Sequence, residues 1–325
     1  MEDPCKSLPA EFLRRLERIV PDYRYPEVLE ALREPRVVAL RVNPLRADRR
    51  EVVTELEAEG FALEPVSWYA DAFILRTRTK RELMATAAYA EGKIYLQDLA
   101  SMVPVLVLSP RPGERVLDLA AAPGSKTTQM AALMGNSGEI VANDVSPARR
   151  FKLVANLRQQ GVSIARVTAI RGEVLWRSYP EEFDRTLLDA PCSMEGMFKC
   201  SDPATYEHWS PRKVKVLARR QAHLLRSAVS ATRVGGVIVY STCTLSPEEN
   251  EGVVDWLLHK EGDAVELEPV ELPGLELLPG LTGWQGRSFD PRVSLTARIL
   301  PSRLMEGFFV ARIRKVRSNL PARGA

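Results

Sequence analysis

The sequence predicts an α/β protein built on a mostly parallel sheet, with a small α+β unit ahead of it. Three observations carry this. From Glu114 onward, apolar runs of strand length alternate with helix-length amphipathic segments, the pattern of parallel strands joined by helices. The first such run, Arg115–Leu119, passes through Ala120-Ala121-Ala122-Pro123-Gly124-Ser125-Lys126-Thr127 directly into a helix. Small residues there let a ligand approach the backbone, and the free N–H groups of the helix start suit an anionic group. Two later runs end in chemically loaded segments, Asp189-Ala190-Pro191-Cys192-Ser193 and Ser241-Thr242-Cys243-Thr244. In a parallel sheet both would face the edge where ligands bind.

In chain order, Leu8–Ile19 reads as an amphipathic helix with Leu8, Phe12, Leu13, Leu16 and Ile19 on one side, and Pro26–Arg33 as a second helix. Val37–Val42 reads as a strand closed by Asn43-Pro44. Arg49–Glu59 reads as a helix with Val52, Val53 and Leu56 inward and Gly60 as its C′ residue. Phe61–Val66 and Phe73–Arg76 read as strands, with a junction near Thr86–Glu91 and an apolar helix from Ser101 to Leu108. The larger unit gives strands over Arg115–Leu119, Glu139–Asn143, Ile164–Ile170, Phe183–Leu188 and Gly236–Tyr240. Its helices are expected from Ser125, over Pro147–Gln160 with Phe151, Val154 and Leu157 apolar, over Arg212–Thr232 and over Pro247–His259. Strand-like segments near Ala264 and over Phe308–Ile313 finish the sheet, and Pro269–Pro279 is a Pro/Gly-rich loop. The expected division is 1–90, 91–317 and a tail, 318–325.

A chain of 325 residues with 45% hydrophobic content can bury a sizeable core. Neither a membrane-spanning apolar run nor a signal-peptide pattern is present. The four cysteines, Cys5, Cys192, Cys200 and Cys243, have no C-x-x-C spacing, which argues against a zinc site or a disulfide framework and fits a reducing cytoplasm. The three histidines lie outside any motif, so histidine catalysis and a metal centre are not expected. Net charge is only +3, but no Asp or Glu occurs between Glu207 and Glu248, a span holding Arg212, Lys213, Lys215, Arg219, Arg220, Arg226 and Arg233. With the arginines from Arg287 to Arg317, these suit phosphate contact, or else form a solvated basic face. A monomer is the default expectation.

The loop after the first strand has the spacing neither of a phosphate loop nor of G-x-G-x-x-G. It resembles the first motif of the NOL1/NOP2/Sun family of RNA 5-methylcytosine methyltransferases, commonly Cys-Ala-Ala-Pro-Gly-Gly-Lys-Thr, with Ala120 in place of the Cys and Ser125 in place of the second Gly. Asp189-Ala190-Pro191-Cys192 and Thr242-Cys243 resemble two further family motifs, Met194 standing where the family usually has Gly. Leu40-Arg41-Val42-Asn43 resembles a stretch of the family's N-terminal domain, and the likeness extends from Leu40 to Lys315. The resemblance implies a class I, Rossmann-like S-adenosylmethionine methyltransferase core with a seven-stranded sheet, and an RNA-recognition-like N-terminal domain that positions RNA. The implied cofactor is S-adenosylmethionine and the implied partner is ribosomal or transfer RNA.

Site residues follow from that resemblance. Ala120, Ala121, Ala122, Pro123, Gly124, Ser125 and Lys126 would hold the cofactor, Lys126 at its carboxylate. Asp144 would take its ribose, although by itself an Asp there also reads as a helix cap before Pro147. Arg149 matches a basic family position, and Glu173 stands for an Asp near the adenine. Asp189 would lie at the methionine end and act as the acid at cytosine N3. Cys243 would be the nucleophile toward carbon 6 and Cys192 would assist product release. Glu248-Glu249-Asn250-Glu251 also matches the family, and reads simply as carboxylates favouring a helix dipole. An RNA-binding assembly factor without turnover is the alternative from another class.

Overall fold

A computed structural model describes residues 4–320. After a short 3-10 turn at Pro4–Ser7 come α1 (Ala10–Ile19) and α2 (Tyr25–Arg33). The apolar side expected of α1 is buried through Phe12, Leu16 and Ile19. It packs into the main core of the larger domain, where the Phe12 and Phe198 rings lie 4.8 Å apart. Burying each such side chain contributes roughly 1.5–3 kcal/mol.

β1 (Val38–Val42), α3 (Arg49–Ala58), β2 (Leu63–Pro65), β3 (Ala72–Leu75), the one-turn helices α4 (Lys80–Leu83) and α5 (Ala87–Ala90), and β4 (Ile94–Leu96) form the small unit. Its sheet is antiparallel, in the order β2-β3-β1-β4. Asp48 caps α3 by accepting from the Arg50 N–H at 2.8 Å, and Gly60 ends it at φ +87°, as its sequence position requires. Strand alternation sends Leu40 and Val42 under α3 to meet Val52 and Leu56, while Ala39 joins the cluster of the larger domain that holds Val103 and Met130. Both faces of the small sheet are therefore covered. The surface that an RNA-recognition sheet would offer to bases is closed by the larger domain.

The larger domain runs α6 (Leu99–Leu108), β5 (Arg115–Asp118), α7 (Ser125–Leu133), β6 (Glu139–Asn143), α8 (Pro147–Gln159), β7 (Ala165–Thr168), β8 (Phe183–Asp189), α9 (Pro211–Ala231), β9 (Thr232–Thr242) and α10 (Glu251–Glu261). There follow β10 (Val265–Glu268), β11 (Leu278–Pro279), the hairpin β12 (Gly283–Trp284) and β13 (Arg287–Ser288), β14 (Ala297–Ile299) and β15 (Phe308–Lys315). The sheet order is β11-β14-β15-β9-β8-β5-β6-β7, with β10 also on β15. β5 to β9 are parallel and β15 antiparallel to β9. This is the expected Rossmann-like core, with nine strands instead of seven. The additions, β11 and β14, are two and three residues long, too short to leave a period in the sequence.

Two expectations are corrected. On α8 the buried residues are Leu153 and Leu157, whereas Phe151 is 78% exposed and Val154 51%. The helix turns Leu153 inward because that side chain packs against Gly124, where an added Cβ would lie 2.9 Å from its Cδ1. The cysteines do include a disulfide, Cys5–Cys200, which ties the N-terminal turn to the end of the loop that follows Cys192. The partners are 195 residues apart, so no local spacing announces them. No helix among the described residues is long and apolar enough to cross a membrane.

Candidate active site

β5 delivers Asp118 to the carboxyl edge of the sheet, where its buried carboxylate accepts from Thr127 Oγ1 at 2.6 Å. The loop beyond it is pinned by backbone bonds: the Leu119 N–H donates to Leu187 O and the Ala121 N–H to Asn143 O. Asn143 clamps three strand exits, donating to the carbonyls of Leu119 and Ile170 and accepting from Thr168. Gly124 has φ +108° against Leu153, so both its backbone angle and its lack of Cβ are used. α7 then starts with no side chain capping its first turn, leaving those N–H groups for a ligand.

Asp144 follows β6. It is not the cap of α8; Ser146 is, accepting from the Arg149 N–H. Asp144 Oδ1 accepts from the Ser146 N–H at 2.9 Å, and Oδ2 lies 3.5 Å from Arg149 Nη2. Arg149 also donates to Ala122 O, bridging Asp144 and the first-motif loop. Glu173 sits on the 3-10 turn after β7, where its carboxylate pairs with Arg220 of α9 at 3.0 Å.

The two motif cysteines meet. Cys192 Sγ and Cys243 Sγ are 3.3 Å apart, at the exits of the neighbouring parallel strands β8 and β9. Beside them Asp189 Oδ2 pairs with Lys126 Nζ at 2.7 Å, while Asp189 Oδ1 accepts from Ser241 Oγ at 2.9 Å. Lys126 is buried, donates to Ser101 Oγ at 2.8 Å, and lies 5.4 Å from the Phe308 ring centre. Its charge therefore serves Asp189, a partner sequence position alone did not suggest. The cysteines differ in electrostatic setting. Lys126 acts on Cys243, and this raises the lysine's pKa together with the dominant pull of Asp189, against burial that lowers it. Cys192 instead feels Glu249; its thiol is pushed well up by the hydrogen bond to Cys243, by burial, and by the Cys243 and Glu249 charges.

Behind this pair lies a brace that the dipole reading of Glu248–Glu251 missed. The first three residues precede α10 altogether. Glu249 is fully buried, and its Oε2 accepts from the Ser193 N–H at 3.0 Å and from Gln221 Nε2 at 2.7 Å. Burial pushes its pKa to about 7. Asn250 accepts from Thr242 Oγ1 at 2.5 Å and donates to Thr244 O at 3.0 Å, fixing both residues that flank Cys243. Glu195 accepts from Ser246 and Trp209, and Glu251 pairs with buried Arg298. Gly196 donates to Cys243 O at 3.0 Å and abuts Gly307, whose carbonyl oxygen would lie 2.1 Å from an added Cβ. Met194 takes the left-handed conformation, φ 60° and ψ 28°.

The basic track divides. Arg212, Lys213, Lys215 and Arg219 on α9 are exposed and have no ion-pair partner among the described residues. The C-terminal arginines do not join them: Arg287 pairs with Asp255, Arg292 with Asp290, Arg298 with Glu251, and Arg312 and Arg314 with Glu268.

A family description, 16S rRNA methyltransferase RsmB/F, matches residues 105–314, and the N-terminal domain of 16S rRNA methyltransferase RsmF matches residues 8–99. The chain belongs to the RsmB/F, or NOL1/NOP2/Sun, methyltransferase family. Within it, the chain is 41% identical to ribosomal RNA small subunit methyltransferase F of Serratia proteamaculans (strain 568), over 98% of this chain but 65% of that relative. It therefore spans just under two thirds of that relative's length. It is 43% identical to tRNA (cytosine(49)-C(5))-methyltransferase of Pyrococcus abyssi (strain GE5 / Orsay), covering 88% of this chain and 90% of the relative. A methyltransferase homologue from Pyrococcus horikoshii superposes with TM-score 0.79 at 33% identity, over 95% of this chain and all of the other. NSun6 from Pyrococcus horikoshii, solved with SFG, superposes with TM-score 0.80 at 25% identity, over 95% of this chain and 98% of that one.

The cofactor of RsmB/F methyltransferases is S-adenosylmethionine, and the residues here fit it. Asp144 and Asp189 both act electrostatically on Asp118, as does the ammonium of Lys126. Burial first, then the two neighbouring carboxylates, push the Asp118 pKa to about 7. Such a cluster of carboxylates suits a ligand with a sulfonium and an ammonium group.

Proposed function

We propose that this protein methylates carbon 5 of cytosine in RNA, through a covalent bond from Cys243 to carbon 6 of the ring. The observation that carries this reading is the pair of sulfur atoms 3.3 Å apart, one beside a lysine and the other beside a buried carboxylate. The thiolate is the form of cysteine that bonds carbon, and Lys126 is the cation that acts on Cys243. Cys192, held as a thiol, keeps its proton.

The bound cofactor supplies an electrophilic methyl group. The chain's residues make carbon 5 nucleophilic enough to accept it. As Cys243 bonds to carbon 6, the carbon 5–carbon 6 π electrons become available at carbon 5 while charge builds at N3. The Lys126–Asp189 pair offers one donor and one acceptor, matched to N3 and the exocyclic amino group of cytosine. Asp189 then works as the acceptor with Lys126 as the donor, where the sequence reading made the aspartate itself the acid. After transfer, Cys192 gives its proton to the Cys243 sulfur as the carbon–sulfur bond breaks, and takes the carbon 5 proton in exchange. The ring double bond is restored and both cysteines end as thiols; the proton that Cys243 gives up to solvent when it attacks is the one the reaction releases overall. The target base must be unpaired or flipped out to reach the sulfurs.

Methyl transfer from labelled S-adenosylmethionine to bulk RNA tests this directly. Cys243→Ala is expected to abolish transfer, and Cys192→Ala to accumulate a denaturant-stable protein–RNA adduct. Swapped phenotypes would reverse the two roles. A wild-type protein that binds RNA and transfers nothing would support the assembly-factor alternative. Bisulfite sequencing of total RNA with and without the gene then separates ribosomal from transfer RNA as the substrate.

A further inference from the structure

A groove of about 460 Å³ lies between α9, α10 and the β12–β13 hairpin. Its apolar lining is aromatic: Trp256, Trp284 and Phe289. Room for it comes from the small residues Ala218 and Ala222, one helical turn apart on α9, and from Gly252 at the start of α10. Lys215 and Arg219 line it from α9; both are exposed and have no ion-pair partner among the described residues. The carboxylate of the lining, Glu248, is neutralised by Arg15 at 2.6 Å, and Arg287 by Asp255 at 2.6 Å. The remaining titratable neighbour, His223, is exposed and packs edge-on to the Trp256 ring at 5.9 Å. An apolar aromatic slot with two uncommitted cations beside it is the chemistry of a stacked base with its phosphates.

Its place in the fold links it to the cysteines. α9 leads into β9, which runs parallel to β8, so the N-terminal half of α9 lies toward the carboxyl edge of the sheet. α10 begins at that same edge, just after Cys243. Gln221, next to the groove residue Ala222, donates to both Pro191 O and Glu249, the brace behind Cys192. The acid-free run of α9, with Arg212 and Lys213, extends from the groove to Trp209, which donates to Glu195 in the loop after Cys192.

We infer that this groove is a second RNA subsite, holding an unpaired nucleotide of the substrate strand outside the target cytosine, its base against Trp256 and its phosphates on Lys215 and Arg219. The inference rests on the RNA reading above. The groove gives the strand a second anchor, so that the target base is presented with its neighbour already fixed.

The test uses the full chain and a fluorescent single-stranded oligoribonucleotide with one cytidine, titrated by anisotropy without cofactor at several salt concentrations. The double variant Lys215→Glu/Arg219→Glu is expected to bind at least tenfold more weakly at low salt. Its dependence of log affinity on log salt should be shallower by roughly 1.4, two phosphate contacts on single-stranded RNA. Trp256→Ala is expected to weaken binding about tenfold, with most of the loss restored in Trp256→Phe. The kcat/KM for methyl transfer should fall in step with the binding loss in the double variant and in Trp256→Ala, and recover with binding in Trp256→Phe. If wild type binds and methylates RNA while the charge-reversed variant binds it equally well, the subsite is wrong and the function stands. If wild type neither binds nor methylates RNA, both fall. If the charge reversal leaves RNA binding alone but converts a dimer to a monomer in sedimentation, the groove is a self-association surface and the RNA assignment is overturned.

Discussion

Met194 carries local backbone strain within the site. Its φ of 60° lies in the left-handed region, which costs a residue with a Cβ roughly 1–2 kcal/mol, and its side chain is 46% exposed, so little burial offsets that cost. The family's usual Gly at this position has no such penalty, though it loses some unfolded-state entropy. Met194→Gly is therefore expected to stabilise the protein by about 0.5–1 kcal/mol, seen as a rise in Tm with no change in the fold. A fall in Tm would mean that the Met194 side chain packs more than its exposure suggests. The substitution was visible in the sequence; its reason was not, because a backbone angle is set by the Glu195 and Gly196 contacts that follow. The same holds for Glu249 and Glu173. Both are carboxylates near motif positions, yet one turns inward to hold Ser193 and the other outward to Arg220. Spacing along the chain does not say which.

At the scale of elements, the segment from Thr242 to Glu251 is a polar loop with almost no solvent contact, held by Asn250, Glu249 and the Glu251–Arg298 pair. Glu251 Oε2 accepts from Arg298 Nη2 at 2.5 Å, and Arg298 also donates to Leu245 O at 3.0 Å. Removing one member leaves the other buried without its countercharge. Glu251→Ala is expected to cost about 3–5 kcal/mol, measured by denaturant unfolding. Replacing both residues with apolar ones of similar volume should recover most of that cost, though activity need not return. A single-variant cost below about 1 kcal/mol would mean that water reaches Arg298. Long periodic elements were legible: β5, β6, β8, α7 and α9 fall within a few residues of where alternation and helical spacing put them. The short strands were not, and neither was the inward side of α8, where Phe151 and Val154 have helical spacing but point to solvent. The Cys5–Cys200 link and the ion pairs of the C-terminal arginines are tertiary facts, invisible to any local pattern.

Across the whole molecule, the site gathers buried acids that resist ionisation. Burial pushes Asp118 and Glu249 up to about 7, and raises Glu306 as well, with Asp98 adding to the last. Each is protonated in the folded state at a pH where the unfolded chain has already ionised it. The folded state thus binds more protons between about pH 4.5 and 7, and the stability these groups allow falls as pH rises through that window. Carboxylates held low by partners, such as Asp290, lose their contribution only in stronger acid, near its value of about 2. Tm is therefore expected to decline from about pH 5 to pH 8 in the absence of cofactor. If S-adenosylmethionine binds as proposed, it reverses the trend locally, because a cationic ligand beside Asp118 would favour its ionised form. Its binding near pH 7 should release a fraction of a proton, read by calorimetry in buffers of different ionisation enthalpy. The stabilisation it gives should be larger at pH 8 than at pH 6. Asp118→Asn, which keeps the shape and removes the titration, should abolish most of that proton release. Binding with no proton release in wild type would mean that the carboxylate cluster is not where the cofactor's positive charge resides.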